Sequence, residues 1–270
     1  MTTMRFDLLQ TAAMFDLTTV EGRRASNTAL TDLFYGLQTF INPKTFLEIG
    51  AFDAHFSRTM KTRHPHARVI AFEASPNNYG YFIKQHDFRS LGIEYHHLAI
   101  SDQDGGTISF QIQSKRNGLD APPVKGDDSL LKRHVSDPHE VYRDVEYQTV
   151  TVDTITLDGF LTPTQFGLDD FSAWIDVEGA LKSVLAGAKR TLERTQSLLV
   201  EVEEKPLWGG QWTAGDVEEH LGRLGFRPVA RDYEFEDQYN LVFVKDEVRG
   251  HFGFQREMVK YYEALGRRRR

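Results

Sequence analysis

Apolar positions along this chain come in short blocks that alternate between two periods. In "SNTALTDLFYGLQTFI", residues 26–41, they recur every three or four residues behind a Ser/Asn cap signal, and Pro43 ends the pattern, so a helix is expected there. "KTFLEIG" is a continuous apolar run and reads as a buried strand; "HFSRTMKTRH" follows as a helix, "RVIAFEAS" as a strand, "NNYGYFIKQHDF" as a helix and "IEYHHLAIS" as a strand. Such alternation predicts a parallel sheet. After "GGTISFQIQ" the regularity lapses from about Ser114 to Tyr147, through Gly118, Pro122, Pro123, Gly126 and Pro138. A loop of that length in a compact domain is usually functional or disordered. Regularity returns with the strand "FSAWIDVEG", the helix "ALKSVLAGAKRTLERT" and the strand "SLLVEVEE". Then "TAGDVEEHLGRLGF" opens on Thr213 and Asp216 in a capping-box arrangement and stops at Gly225, and two strands, "RPVARDYEF" and "NLVFVK", are joined by "EDQY". A hairpin therefore closes the sheet, with an antiparallel last strand. Residues 1–42 are expected as a helical lead-in, 43–246 as the main domain with a substrate loop at 114–147, and 247–270 as an amphipathic helix with a basic end.

Composition narrows the partners. A 270-residue chain with 40% hydrophobic content can bury one sizeable core. Its 39 acids against 32 Lys and Arg give a net charge of −7, which disfavours nucleic acid as a partner, because that needs a cationic footprint. There are no cysteines, so disulfides, thiolate metal sites and a Cys nucleophile are excluded together. No run of 18 apolar residues occurs and the N-terminus has no long apolar core, so the expectation is a cytoplasmic protein without stable membrane insertion. Oligomeric state is left open.

The chemistry begins at "TFLEIGAFDAHFS". In open α/β sheets ligands sit beyond the carboxyl ends of the strands, and the first strand-turn-helix supplies the cofactor loop. A dinucleotide needs a second glycine there so that the backbone can approach a pyrophosphate, but Phe52 and Ala54 stand where further glycines would. A cofactor without phosphate, such as S-adenosylmethionine, tolerates that bulk. It asks instead for an acid near its ammonium group and another near its ribose hydroxyls. Glu48 and Glu73, each at or near a strand end, are so placed.

"FLEIGAFDAHFS", "AFEASPNN", "HHLAISDQDGGTISF", "TVTVDTITLDGFL", "AWIDVEGALKSVLAGAKRTL" and "SLLVEVEE" come in the order and spacing of the FkbM-type family of class I S-adenosylmethionine-dependent methyltransferases, which the chain resembles from about Thr45 to Lys245. The block "IDVEGALKSVLAGA" carries most of that resemblance. It implies a Rossmann-like, doubly wound, mostly parallel seven-stranded sheet with an antiparallel last strand. It also implies that Glu48, Gly50, Ala51 and Phe52 wrap the methionine part of the cofactor with Asp53 beside them, that Glu73 meets the ribose with Ser75 just after it, and that the backbone at Ala99 meets the adenine edge. Where the family commonly has Gly, this chain has Ala54, which puts the tightness of the turn in question.

Methyl transfer from a sulfonium needs in-line alignment first and a base second. Asp176, at the carboxyl end of the fourth strand, and Glu201 are the catalytic candidates, with Glu178 and His55, His134 and His139 behind them. No ligand-spacing motif assigns a metal set; Mg²⁺ enters only as an ion that Glu201 could hold with Asp176 through hard oxygens. The family modifies hydroxyls of saccharides, glycolipids and natural products, so the resemblance implies O-methylation of a small-molecule or glycan acceptor, with Trp208 and Trp212 as candidate stacking surfaces and the 114–147 loop expected to close over the cofactor. N-methylation of a small amine or nucleoside, or a cofactor-binding module without catalysis, are the alternatives.

Overall fold

In the computed structural model, residues 11–133, 145–161, 170–233, 235 and 237–268 are described. The helix α1 (Val20–Ile41) starts six residues before the periodic stretch, where the Thr19 side chain accepts a hydrogen bond from the Gly22 N–H. It stops at Asn42, in the left-handed region with φ 49°, directly before Pro43.

The strands follow as β1 (Thr45–Ile49), β2 (Arg68–Glu73), β3 (Ile93–His97), β4 (Ala99–Ile100), β5 (Thr107–Arg116), β6 (Leu119–Asp120), β7 (Val145–Ile155), β8 (Phe171–Ile175), β9 (Thr195–Glu203), β10 (Phe226–Arg231) and β11 (Gln238–Lys245). Between them lie α2 (His55–Arg63), α3 (Pro76–Gln85), α4 (Leu157–Phe160), α5 (Leu181–Ala186), α6 (Lys189–Arg194), α7 (Ala214–Arg223) and α8 (Asp246–Arg249), and α9 (Phe252–Arg268) ends the described chain.

The main sheet has seven strands in the order β10-β11-β9-β8-β1-β2-β3. Only β11 runs against its neighbours, pairing antiparallel with both β9 and β10. The expected hairpin is present, and its second strand is inserted between β10 and β9 rather than laid on the edge. The central strands β1 and β8 are buried along their whole length, as expected for strands covered on both faces. One apolar cluster joins α1, α2 and α9 to one face of the sheet, and a second joins α5, α6 and α7 to the other. Among the described residues no helix is long and apolar enough to cross a membrane.

Two departures from the expected pattern have physical causes. The single helix expected over 180–195 is two short ones, interrupted at Gly187, where an added Cβ would stand 2.0 Å from the Ser101 carbonyl oxygen. The chains approach too closely there for a straight helix to pass. The irregular region is also shorter than expected. Strand β5 continues to Arg116 and β7 begins at Val145, and the two pair antiparallel in a separate four-stranded sheet, β4-β7-β5-β6. Their outer positions are polar and exposed, which hid the alternation.

Candidate active site

Parallel strands β1 and β8 lie side by side, and the chain departs from them in opposite directions, so their carboxyl ends open a crevice at the switch point. Gly50 makes the turn out of β1 with φ +81°, and its N–H and that of Ala51 both donate to the Phe72 carbonyl at the end of β2. Phe52 and Ala54 also take positive φ, 48° and 53°. The turn is therefore as tight as a glycine-rich one, with two side chains held in the left-handed region.

For Ala54, strain of roughly 1 to 2 kcal/mol opposes the burial of its methyl, about 0.8 kcal/mol, and the backbone entropy a glycine would add, roughly 0.5 to 1 kcal/mol. These nearly cancel. Ala54→Gly is expected to change stability by less than about 1 kcal/mol in a denaturant titration, whereas Ala54→Val, β-branched at positive φ, should cost at least about 3 kcal/mol. A well-tolerated valine would mean the turn is not held in this conformation.

The acids then fall into place. Glu48 is 1% exposed, and its Oε2 accepts the Ser57 N–H at 2.7 Å, tying β1 to the first turn of α2; burial pushes its pKa up to about 8. Glu73 receives two backbone N–H groups at 2.7 Å, Phe52 on Oε2 and Ser75 on Oε1, and burial pushes it up to about 7. The Asn78 side chain bonds the carboxyl as well, so of its about four acceptor sites one is left for a ribose hydroxyl. Asp53 pairs with Arg58 at 2.7 Å.

Glu48, Gly50, Ala51, Phe52, Asp53, Glu73, Ala99 and Asp176 line one cleft of about 290 Å³. Ser75 does not line it; its hydroxyl donates to Asp128 at 2.9 Å, and Asp128 does line it. Glu201 lies just outside, beside Asp176. His55 faces a separate surface groove with Arg58 and Arg63, and His134 and His139 are outside the described residues.

The described part of the expected loop crosses the cleft as a strap. The Asn78 amide bonds both backbone groups of Lys125, at 2.9 and 3.1 Å. Asp128 accepts from the Gln113 N–H at 3.0 Å and stands 3.3 Å from the Lys125 ammonium. Farther along, the Ser129 hydroxyl donates to the Glu178 carbonyl at 2.6 Å. Gly126, Asp128 and Leu130 thereby form part of the wall, with Phe110 from β5. None of these was a candidate from sequence.

At the far end, one carboxylate oxygen each from Asp176, Glu178 and Glu201 lie within 4.8 Å of one another. Burial, and then mutual repulsion at Glu178 and Glu201, raises all three above the ordinary carboxylate range, and a hydrogen bond joins Asp176 to Glu201. Trp208 is fully buried beneath Gly179 and below the Arg133 guanidinium, so it packs rather than offers a stacking face. Trp212 is partly buried against His220 and Lys182.

These groups fit S-adenosylmethionine by their chemistry. An apolar slot of Leu98, Ala99, Ile100, Phe110 and Leu130 can take adenine, Glu73 has an acceptor site for the ribose, and among the described residues no Lys or Arg lines the cleft to receive a pyrophosphate. Phe52 stands where a dinucleotide needs backbone access, its ring 4.7 Å from that of Phe82.

The family profile "Methyltransferase FkbM domain" matches residues 48–228. A 2-O-methyltransferase, NoeI, of Sinorhizobium fredii is 28% identical over 174 residues, which cover 61% of this chain and 65% of that protein. The match thus spans less than two thirds of that relative's length. Similar solved structures include magnesium protoporphyrin IX methyltransferase from Synechocystis PCC 6803 with bound SAM, at 12% identity, 82% and 80% coverage and a TM-score of 0.43. The methyltransferase domain of bacterial CtHen1 matches at 12% identity, 81% and 99% coverage and a TM-score of 0.40.

Proposed function

Because this chain belongs to the FkbM methyltransferase family, we propose that it is an S-adenosylmethionine-dependent O-methyltransferase acting on a hydroxyl of a saccharide, glycolipid or natural product. The observation that carries the reading is the Asp176–Glu201 pair at the end of a cleft whose groups suit that cofactor. The Sinorhizobium relative is a 2-O-methyltransferase, which supports the choice of oxygen.

When bound, S-adenosylmethionine supplies an electrophilic methyl group on sulfonium. The chain's residues do the rest. Glu73, fixed by two backbone N–H groups, orients the ribose. The Gly50–Ala54 turn surrounds the methionine portion, and the strap at Gly126–Leu130 walls the cleft against water. Asp176 accepts the hydrogen bond of the acceptor hydroxyl and aligns its oxygen. With a methyl donor in place, Asp176 would take up the hydroxyl proton and Glu201, beside it, would stabilise the protonated carboxyl. The same acids make Mg²⁺ a candidate second cofactor.

Incubation with methyl-labelled cofactor and a panel of glycans and hydroxylated small molecules tests the reading. The expected product is an alkali-stable methyl ether. Label on nitrogen, or cofactor binding with no transfer to any hydroxyl across the panel, contradicts it.

A further inference from the structure

Beyond the cofactor cleft, the carboxyl ends of β8 and β9 bring four carboxylates to one place. Asp176 and Glu178 come from the segment after β8, and Glu201 and Glu203 lie two residues apart on the same face of β9. Oxygens of Asp176, Glu178 and Glu201 fall within 4.8 Å of one another. A hard divalent cation with oxygens at about 2.1 to 2.5 Å sets neighbouring and opposite ligands roughly 3 to 5 Å apart, so the trio is spaced to share one ion.

Glu203 is an independent pointer. It is 3% exposed, its charge acts on Glu178 and Glu201, and although the Gln211 side chain bonds its carboxyl, its Oε1 is left without a partner. A buried carboxylate oxygen left unsatisfied beside three other acids is costly unless a positive charge or donor arrives. Arg133 supplies one positive charge, acting on Glu178 and Glu203, against four acids. Two of the three candidate ligands are two residues apart in the segment after β8 and the third is on the neighbouring parallel strand β9, which places all three at one end of the sheet. The donor set is all carboxylate, without His or Cys, which selects a hard cation over zinc or copper.

We propose that Asp176, Glu178 and Glu201 form a binding site for one hard divalent cation of the Mg²⁺ or Mn²⁺ class, with Glu203 behind them holding the ion's remaining ligands. Its role rests on the methyltransferase reading: the ion would lie where the acceptor oxygen arrives, and would hold that oxygen as a further ligand.

Mn²⁺ alone, followed by electron paramagnetic resonance and calorimetry, tests the site on the full chain. One ion per chain is expected, competed by Mg²⁺, with Glu178→Gln and Glu201→Gln each weakening it at least about tenfold. S-Adenosylhomocysteine is titrated in parallel. Its affinity in both variants should stay within about threefold of the parent, which also shows that they fold. No Mn²⁺ bound at millimolar concentration by a parent that binds S-adenosylhomocysteine overturns the site while sparing the function. So does Mn²⁺ binding indifferent to both substitutions. Failure of S-adenosylhomocysteine to bind the parent instead strikes the function.

Discussion

Gly50→Ala should leave little folded, cofactor-competent protein. Gly50 sits at φ +81°, and a Cβ there would lie 1.6 Å from the Asp176 carbonyl oxygen and 3.3 Å from Val177 Cγ1. The obstructing atom is backbone, and Asp176 is itself anchored by its N–H to the Ile49 carbonyl at 2.9 Å, so neither partner can swing away. Relief requires the ends of β1 and β8 to separate, which breaks the centre of the sheet where both strands are buried. Such a clash belongs among the exceptional substitutions above about 4 to 5 kcal/mol, set against a total stability of roughly 5 to 15 kcal/mol. At about 2 to 4 °C per kcal/mol for a chain of this size, the melting temperature should fall by roughly 8 to 20 °C. S-Adenosylhomocysteine binding should be lost with it. A melting temperature within about 2 °C of the parent, with unchanged binding, would mean that the two strand ends do not approach as described.

Asp176→Asn should do the opposite: spare the fold and remove the chemistry. Asparagine fills the same space and keeps the backbone bond to Ile49, so the melting temperature and cofactor affinity should stay close to those of the parent. An amide cannot take the proton of the acceptor hydroxyl. Turnover should therefore fall by at least about tenfold and up to about 10,000-fold, the range for losing a general base or an aligning contact. Because Asp176 and Glu201 act through one hydrogen bond, Glu201→Gln should cost a similar factor, and the double variant little more than the worse single one. Single-turnover kinetics separates this from a binding defect. An Asp176→Asn enzyme that turns over like the parent assigns the proton to another group.

How much was legible follows from the range of the forces involved. The central strands are fixed by burial on both faces, so "TFLEI" and "FSAWI" read directly as continuous apolar runs. The capping box of Thr213 and Asp216 is local and appears as expected. Glu48, Glu73 and Asp176 were visible because strand ends in a doubly wound sheet converge. The strap was not visible. Lys125 and Asp128 are buried against Asn78, Ser75 and Gln113, polar partners brought from elsewhere in the chain, and hydrophobic periodicity carries no trace of such pairs. The break at Gly187 comes from the Ser101 carbonyl, again a contact distant in sequence. Ala54 misled in a different way: the residue type argued against a tight turn, yet the surrounding packing imposes positive φ on it.

Titration calorimetry of the parent and of Glu73→Ala with S-adenosylhomocysteine and with NAD bears most directly on the claim that this cleft holds S-adenosylmethionine. The parent should bind S-adenosylhomocysteine with micromolar affinity and NAD not appreciably. Glu73→Ala should weaken S-adenosylhomocysteine by roughly 1.5 to 3 kcal/mol, the scale of a lost hydrogen bond to a charged group. Tight NAD binding that survives Glu73→Ala would contradict the account.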